Sequence, residues 1–103
     1  MKTFSDLKPG DKIFEIFDNK KSSVGVYELT KIVTIHDIVQ FYIDTIIGPK
    51  RYFITLSTEM YQKCNFFSCV YTSIIFADEQ EFLEALKDDK SLFDFVQSKG
   101  ETR

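Results

Sequence analysis

Three side chains in this sequence have the chemistry of a nucleophile or of its base: Cys64, Cys69 and His36. A catalytic thiol needs a neighbouring base and a depressed pKa. His36 is the single histidine, and it falls in a short break between two β-rich runs. No pattern places it beside either cysteine. Cys69 stands in an apolar run and reads as a small core residue, whereas Cys64 stands in a polar stretch and reads as exposed. Two Cys and one His fall short of the four ligands of a structural zinc site. Glu28, Asp37 and Asp44 lie on or beside expected strands, where solvent-facing positions explain them as well as an acid–base pair would. The four glycines are scattered, so no phosphate-binding loop is present. The expectation is a non-enzymatic chain with no catalytic residue, no cofactor and no metal.

Two other groups of residues have the chemistry of binding. Lys20 and Lys21 share one expected turn, and Lys50 and Arg51 share another. With Tyr42, Tyr52 or Phe53 nearby, they form a candidate nucleic-acid face that works by charge and stacking. The alternative is that lysines in turns and on edges keep a β-protein from aggregating. The formal net charge of −3 favours that alternative. The second group is aromatic. Tyr61, Phe66, Phe67 and Tyr71 cluster beside an irregular stretch, and interfaces are enriched in Tyr and Phe. They are the candidate partner-binding residues, for another protein or for a second copy in a homodimer. A second small core under the loop accounts for them equally well.

The elements that must position these residues follow from the alternation of apolar and polar types. "LKPGDKIF", Leu7–Phe14, joins a Pro-Gly turn to an apolar run. Pro9 presets φ, and Gly10 supplies a positive φ for a type II turn. Strands are expected over Lys12–Phe17, Val24–Ile35, Ile38–Ile47 and Arg51–Ser57, with Phe4 and Leu7 packed beneath the first. In the second run Tyr27, Leu29, Lys31, Val33 and Ile35 share the core face, which suits Lys31 only if it snorkels or a bulge shifts the register. Thr58–Asn65 reads as a loop. Phe66–Ala77 reads as one strand or two short ones. From Asp78 the period changes to helical, with Asp78 and Glu81 as a capping box. Phe82, Ala85, Leu86, Leu92, Phe93 and Val96 form one stripe, with Phe95 off it. A break is expected near Asp88–Lys90, Ser91 with Asp94 forms a second capping box, and the tail from Gly100 should fray.

The opening run resembles the start of small five-stranded barrels of the Src-homology-3 type. There a Leu-Lys-x-Gly-Asp-x-Ile/Val segment leads into the first strand. The resemblance covers Phe4–Phe17 and, loosely, the strand rhythm to Ala77. It implies a small binding barrel. KOW-type nucleic-acid-binding barrels begin in the same way; here Lys20, Lys21 and Gly25 are present but their repeated glycines are not. The start and the later "IIFADEQEF" step are also similar to those of uncharacterised short proteins of gut bacteria and their phages, a likeness that implies no function.

The 103 residues read as a single α+β domain. Residues 1–77 form a mainly antiparallel five-stranded bent sheet or small barrel, 78–98 a broken helical cap and 99–103 a frayed tail. The eleven Phe and five Tyr are many for one small core, so some of them should reach the surface. Residues 64–103 carry four basic and eight acidic residues, which does not suit a phosphate backbone. No run approaches the roughly 18 apolar residues of a membrane span. With no secretory h-region and only two cysteines, the expected setting is cytoplasmic, with reduced thiols.

Overall fold

The computed structural model of the chain describes residues 1–17, 23–69, 72–88 and 92–99. Among the described residues six strands form, the run from Phe66 supplying two of them: β1 (Lys12–Phe17), β2 (Val24–Ile35), β3 (Ile38–Ile47), β4 (Phe53–Ser57), β5 (Phe66–Cys69) and β6 (Ser73–Phe76). They make one sheet in the order β4-β3-β2-β1-β6-β5, in which every pairing is antiparallel. The sheet curls into a half-barrel. Three short α-helices among the described residues complete the α+β fold: α1 (Thr58–Lys63), α2 (Glu79–Lys87) and α3 (Leu92–Lys99).

The opening run docks the chain onto β2. Gly10, at φ 102°, donates its N–H to the Leu29 carbonyl at 2.8 Å, and the Leu29 N–H returns to the Asp11 carbonyl at 2.8 Å. The positive φ that glycine tolerates lets the turn end in line with the β1–β2 ladder. A 3-10 turn at Phe4–Asp6 drops Phe4 into the concave face, fully buried.

β1 is buried on both sides, so the sheet separates two cores. Ile13 joins Phe4, Tyr27, Leu29, Phe41, Ile54, Leu56, Phe67 and Ile75 in the concave face. Phe14 and Ile16 point the other way, to Phe66, Phe76, Phe82, Ala85 and Val96 under the helices. Phe14 stacks on Phe82 at 4.8 Å between centroids. Each fully buried ring or branched aliphatic contributes about 1.5–3 kcal/mol. Among the described residues, the two cores bury eight of the sixteen aromatic rings.

Lys31 does not enter the core. The β2–β3 register shifts between Leu29 and Lys31, so Lys31 is exposed and Ile32 packs inward. Thr58–Lys63 is a helix rather than a loop, because the Ser57 side chain accepts the Met60 N–H at 3.1 Å and caps it. β4 begins at Phe53, not Arg51, because the Arg51 N–H turns aside to the Thr45 hydroxyl at 2.9 Å. The helical cap is broken as expected. Asp78 accepts the Glu81 N–H, α2 ends at Lys87, and a Lys99–Glu84 ion pair of 2.8 Å ties α3 to α2. The second capping box at Ser91, the side chains of Leu92, Phe93 and Phe95, and the tail from Gly100 lie outside the described residues.

Candidate functional site

The concave face holds a polar group that the alternation of "KIFEIF" does not announce. Glu15 is 1% exposed. Its carboxylate accepts the Tyr27 hydroxyl at 2.6 Å and the Ser73 hydroxyl at 2.7 Å. The Arg51 guanidinium reaches in from the β3–β4 connection to 3.8 Å. Gly25 stands opposite Glu15 in the ladder, and a Cβ there would overlap the Tyr27 hydroxyl. The bare backbone is what lets the phenol lie across β2 to reach the carboxylate. Burial, then the bond to Glu15, pushes the Tyr27 hydroxyl pKa well above its ordinary value. Beside this group, burial also raises the Cys69 thiol, with Arg51 opposing. A thiol held protonated is a poor nucleophile.

The outer face of the sheet is covered unevenly. α2 and α3 pack on the β1–β6–β5 side, while the outer face of β2–β3–β4 carries exposed Ile35, Ile38, Tyr42 and Phe53. The register brings these together: Ile35 faces Ile38, and Tyr42 faces Phe53 on one side and Lys31 on the other. The Lys31 ammonium sits 5.7 Å from the Tyr42 ring centre. Beside this patch runs β4, a terminal strand of the sheet. Its hydrogen-bond phase is set by Ile43 N–H to the Tyr52 carbonyl and by Thr58 N–H to the Asp37 carbonyl. Ile54 and Leu56 therefore bond to β3, and the backbone groups of Phe53, Thr55 and Ser57 point to the open side. The strand "FITLS" contains no charge and no proline, the usual devices that blunt an edge.

Among the described residues, those singled out in the sequence do not form one surface patch, although Tyr61 and Phe67 share the concave core. Phe66 and Phe67 are buried at 2% and 5% and feed opposite cores, which removes them from the surface. Tyr61 is half-buried, edge-on to Phe41 at 5.9 Å. Neighbouring strand residues face opposite ways, so an adjacent Phe pair fills two cores rather than one patch. Tyr71, Lys20 and Lys21 lie outside the described residues. Of the basic pair at the other turn, Lys50 is exposed and sits over Tyr52 at 5.6 Å, whereas Arg51 is turned toward Glu15. Cys64 is buried, not exposed, and His36 is exposed in the β2–β3 turn. Glu28 and Asp44 do stand opposite one another, but both face solvent. Among the described residues, no group of three His, Cys, Asp or Glu side chains could hold a metal ion. An open groove of about 520 Å³ lies between the start of β1 and α2. Its mixed lining of Lys2, Asp11, Lys12, Asp78 and Glu79 favours neither sign of ligand. No helix is long and apolar enough to cross a membrane among the described residues.

The exposed patch is partly legible in the sequence. Tyr42 and Phe53 stand out there beside the basic turn, but as stacking partners for bases. Ile35 and Ile38 flank the turn at His36–Asp37, and no alternation rule marks them as exposed. The chain matches no protein-family model, and comparison with curated proteins and with solved structures finds no match either.

Proposed function

We propose that this chain is a non-enzymatic binding domain that takes an extended polypeptide strand along β4. The observation that carries the reading is the conjunction at β4: an uncharged open edge directly beside an exposed apolar face. Strand addition uses both features. The edge supplies main-chain hydrogen bonds, and alternate side chains of the incoming strand reach the face. The likeness of the opening run to Src-homology-3-type barrels is in keeping with a binding module. The raised thiol pKa of Cys69 and the burial of Cys64 weigh against cysteine chemistry. Nucleic-acid binding through the basic turns is the weaker reading, because Arg51 is turned to Glu15 and half-buried, which leaves Lys50 as the fully exposed cation of that pair.

The test uses a phage-displayed library of random nine-residue peptides selected on the immobilised chain. Enriched peptides should alternate apolar and polar residues and should lose binding to the Thr55→Pro chain. Thr55 N–H faces the open side, so proline there blocks an incoming strand without breaking the ladder to β3. Selection of no peptide, or of peptides indifferent to Thr55→Pro, contradicts strand addition at β4.

A further inference from the structure

We infer, resting on the strand-addition reading, that the strand taken at β4 is a short peptide segment with a charge at each end. It runs antiparallel to β4, with an apolar residue opposite Phe53, a basic residue before this core and an acidic residue after it. The length follows from how the edge ends. At one end the Thr45 hydroxyl holds the Arg51 backbone, accepting its N–H at 2.9 Å and donating to its C=O at 3.3 Å. At the other end α1 starts at Thr58, and its first turn takes up the C=O of its cap, Ser57. The complete outward N–H and C=O pairs left between these ends belong to Phe53 and Thr55. An antiparallel strand meets both with a core of three residues, opposite Thr55, Ile54 and Phe53. The window therefore favours a short segment over a long continuous strand.

The charges around this window differ from end to end, while β4 itself carries none. At the Phe53 end stand Arg51, one-third exposed, and Lys50, exposed and without an ion pair among the described residues. Lys50 lies over the Tyr52 ring, which keeps its ammonium at this end of the strand. At the Ser57 end stands Glu59, exposed in the first turn of α1. Asp37 adds the same sign from the β2–β3 turn, where its C=O accepts the Thr58 N–H. The contrary charges are farther off: Asp44 is on β3, one strand in from the edge, and Lys63 is at the far end of α1. Antiparallel pairing is the sense of every ladder in this sheet and the more stable one per residue. It brings the C-terminal side of the incoming strand to Lys50 and its N-terminal side to Glu59, so complementarity asks for an acid after the core and a base before it. The residue opposite Phe53 extends the outer-face row Lys31–Tyr42–Phe53, where an aromatic or β-branched side chain pairs best with the ring.

The test repeats the nine-residue peptide selection on wild type, Lys50→Glu, Lys50→Gln and Glu59→Lys, each shown to be folded by circular dichroism. Peptides enriched on the wild type should carry Lys or Arg ahead of an aromatic or β-branched residue, and Asp or Glu after it, opposite Arg51. Lys50→Glu should exchange the trailing acid for a base, and Lys50→Gln should remove the preference there. Glu59→Lys should place an acid at the leading position. A synthetic peptide of the wild-type consensus should bind Lys50→Gln about two- to fivefold more weakly than wild type, and high salt should erase most of that difference. Peptides that lose binding to Thr55→Pro but show no charge bias, or show the reverse order of charges, overturn this inference and leave strand addition standing. A bias indifferent to Lys50 and Glu59 does the same. A wild-type chain that selects no peptide removes the strand-addition reading and this inference with it.

Discussion

Tyr27 donates its hydroxyl to the buried Glu15 at 2.6 Å, crossing from β2 to β1 over the bare backbone of Gly25. This bond and the Ser73 bond satisfy a carboxylate that would otherwise be costly to bury. They also tie the β1–β2 and β1–β6 seams together at the mouth of the half-barrel.

Replacing Tyr27 by Phe removes one donor and leaves the carboxylate short of a partner. The expected loss is about 1–3 kcal/mol in urea unfolding. The pH dependence gives a sharper check. The Tyr27 hydroxyl has a folded pKa raised above its unfolded value of about 10. Its stabilising effect is therefore complete below that unfolded value and is lost as the pH rises through it toward the folded one. Wild-type stability should fall in strongly alkaline solution, and Tyr27→Phe should flatten that fall.

Gly25→Ala places a methyl group where the Tyr27 hydroxyl and ring lie. Overpacking of this kind costs about 1–3 kcal/mol. In the double variant Gly25→Ala with Tyr27→Phe, the second substitution should cost less than it does alone. Thermal melts of the four chains complete the cycle. Strict additivity would mean that the two positions do not share the space claimed for them.

Arg51→Met should cost more than removal of a surface cation, because its partner Glu15 is buried while the Lys99–Glu84 pair is exposed. Removing Arg51 should cost about 1–2 kcal/mol, less than for a fully buried pair since Arg51 is one-third exposed. Lys99→Met should cost about 0–1 kcal/mol. Equal losses in urea unfolding would place Arg51 among ordinary surface charges.

The first four strands are legible because each carries its own alternation and is bounded by turn residues, whereas the run Phe66–Ala77 leaves open whether it is one strand or the two that form, β5 and β6. Val24–Ile35 and Ile38–Ile47 are bounded by polar turns, and the awkward Lys31 marks the place where the register slips. The six-residue helix after Ser57 was not legible, since so short a helix shows no period. Glu15 was missed for a different reason. A charged residue between apolar neighbours looks solvent-facing, and its partners stand 12, 36 and 58 positions away. The site was legible only in part, for a related reason. Whether Tyr42 and Phe53 are covered depends on where α2 and α3 pack, and no local pattern records that these two helices choose the β1–β6–β5 side.

The role assigned to β4 is tested most directly by amide hydrogen exchange, followed by NMR across a peptide titration. In the free chain the Phe53 and Thr55 amides face the open side and should exchange fast, while Ile54 and Leu56, bonded to β3, should be protected. Strand addition at β4 requires that protection at Phe53 and Thr55 rise when a selected peptide is added, that Thr55→Pro keep Phe53 fast at every peptide concentration, and that Ile54 change little. Fast exchange at Phe53 and Thr55 at all concentrations, with or without a peptide selected on the chain, would contradict the assignment of β4 as a docking edge.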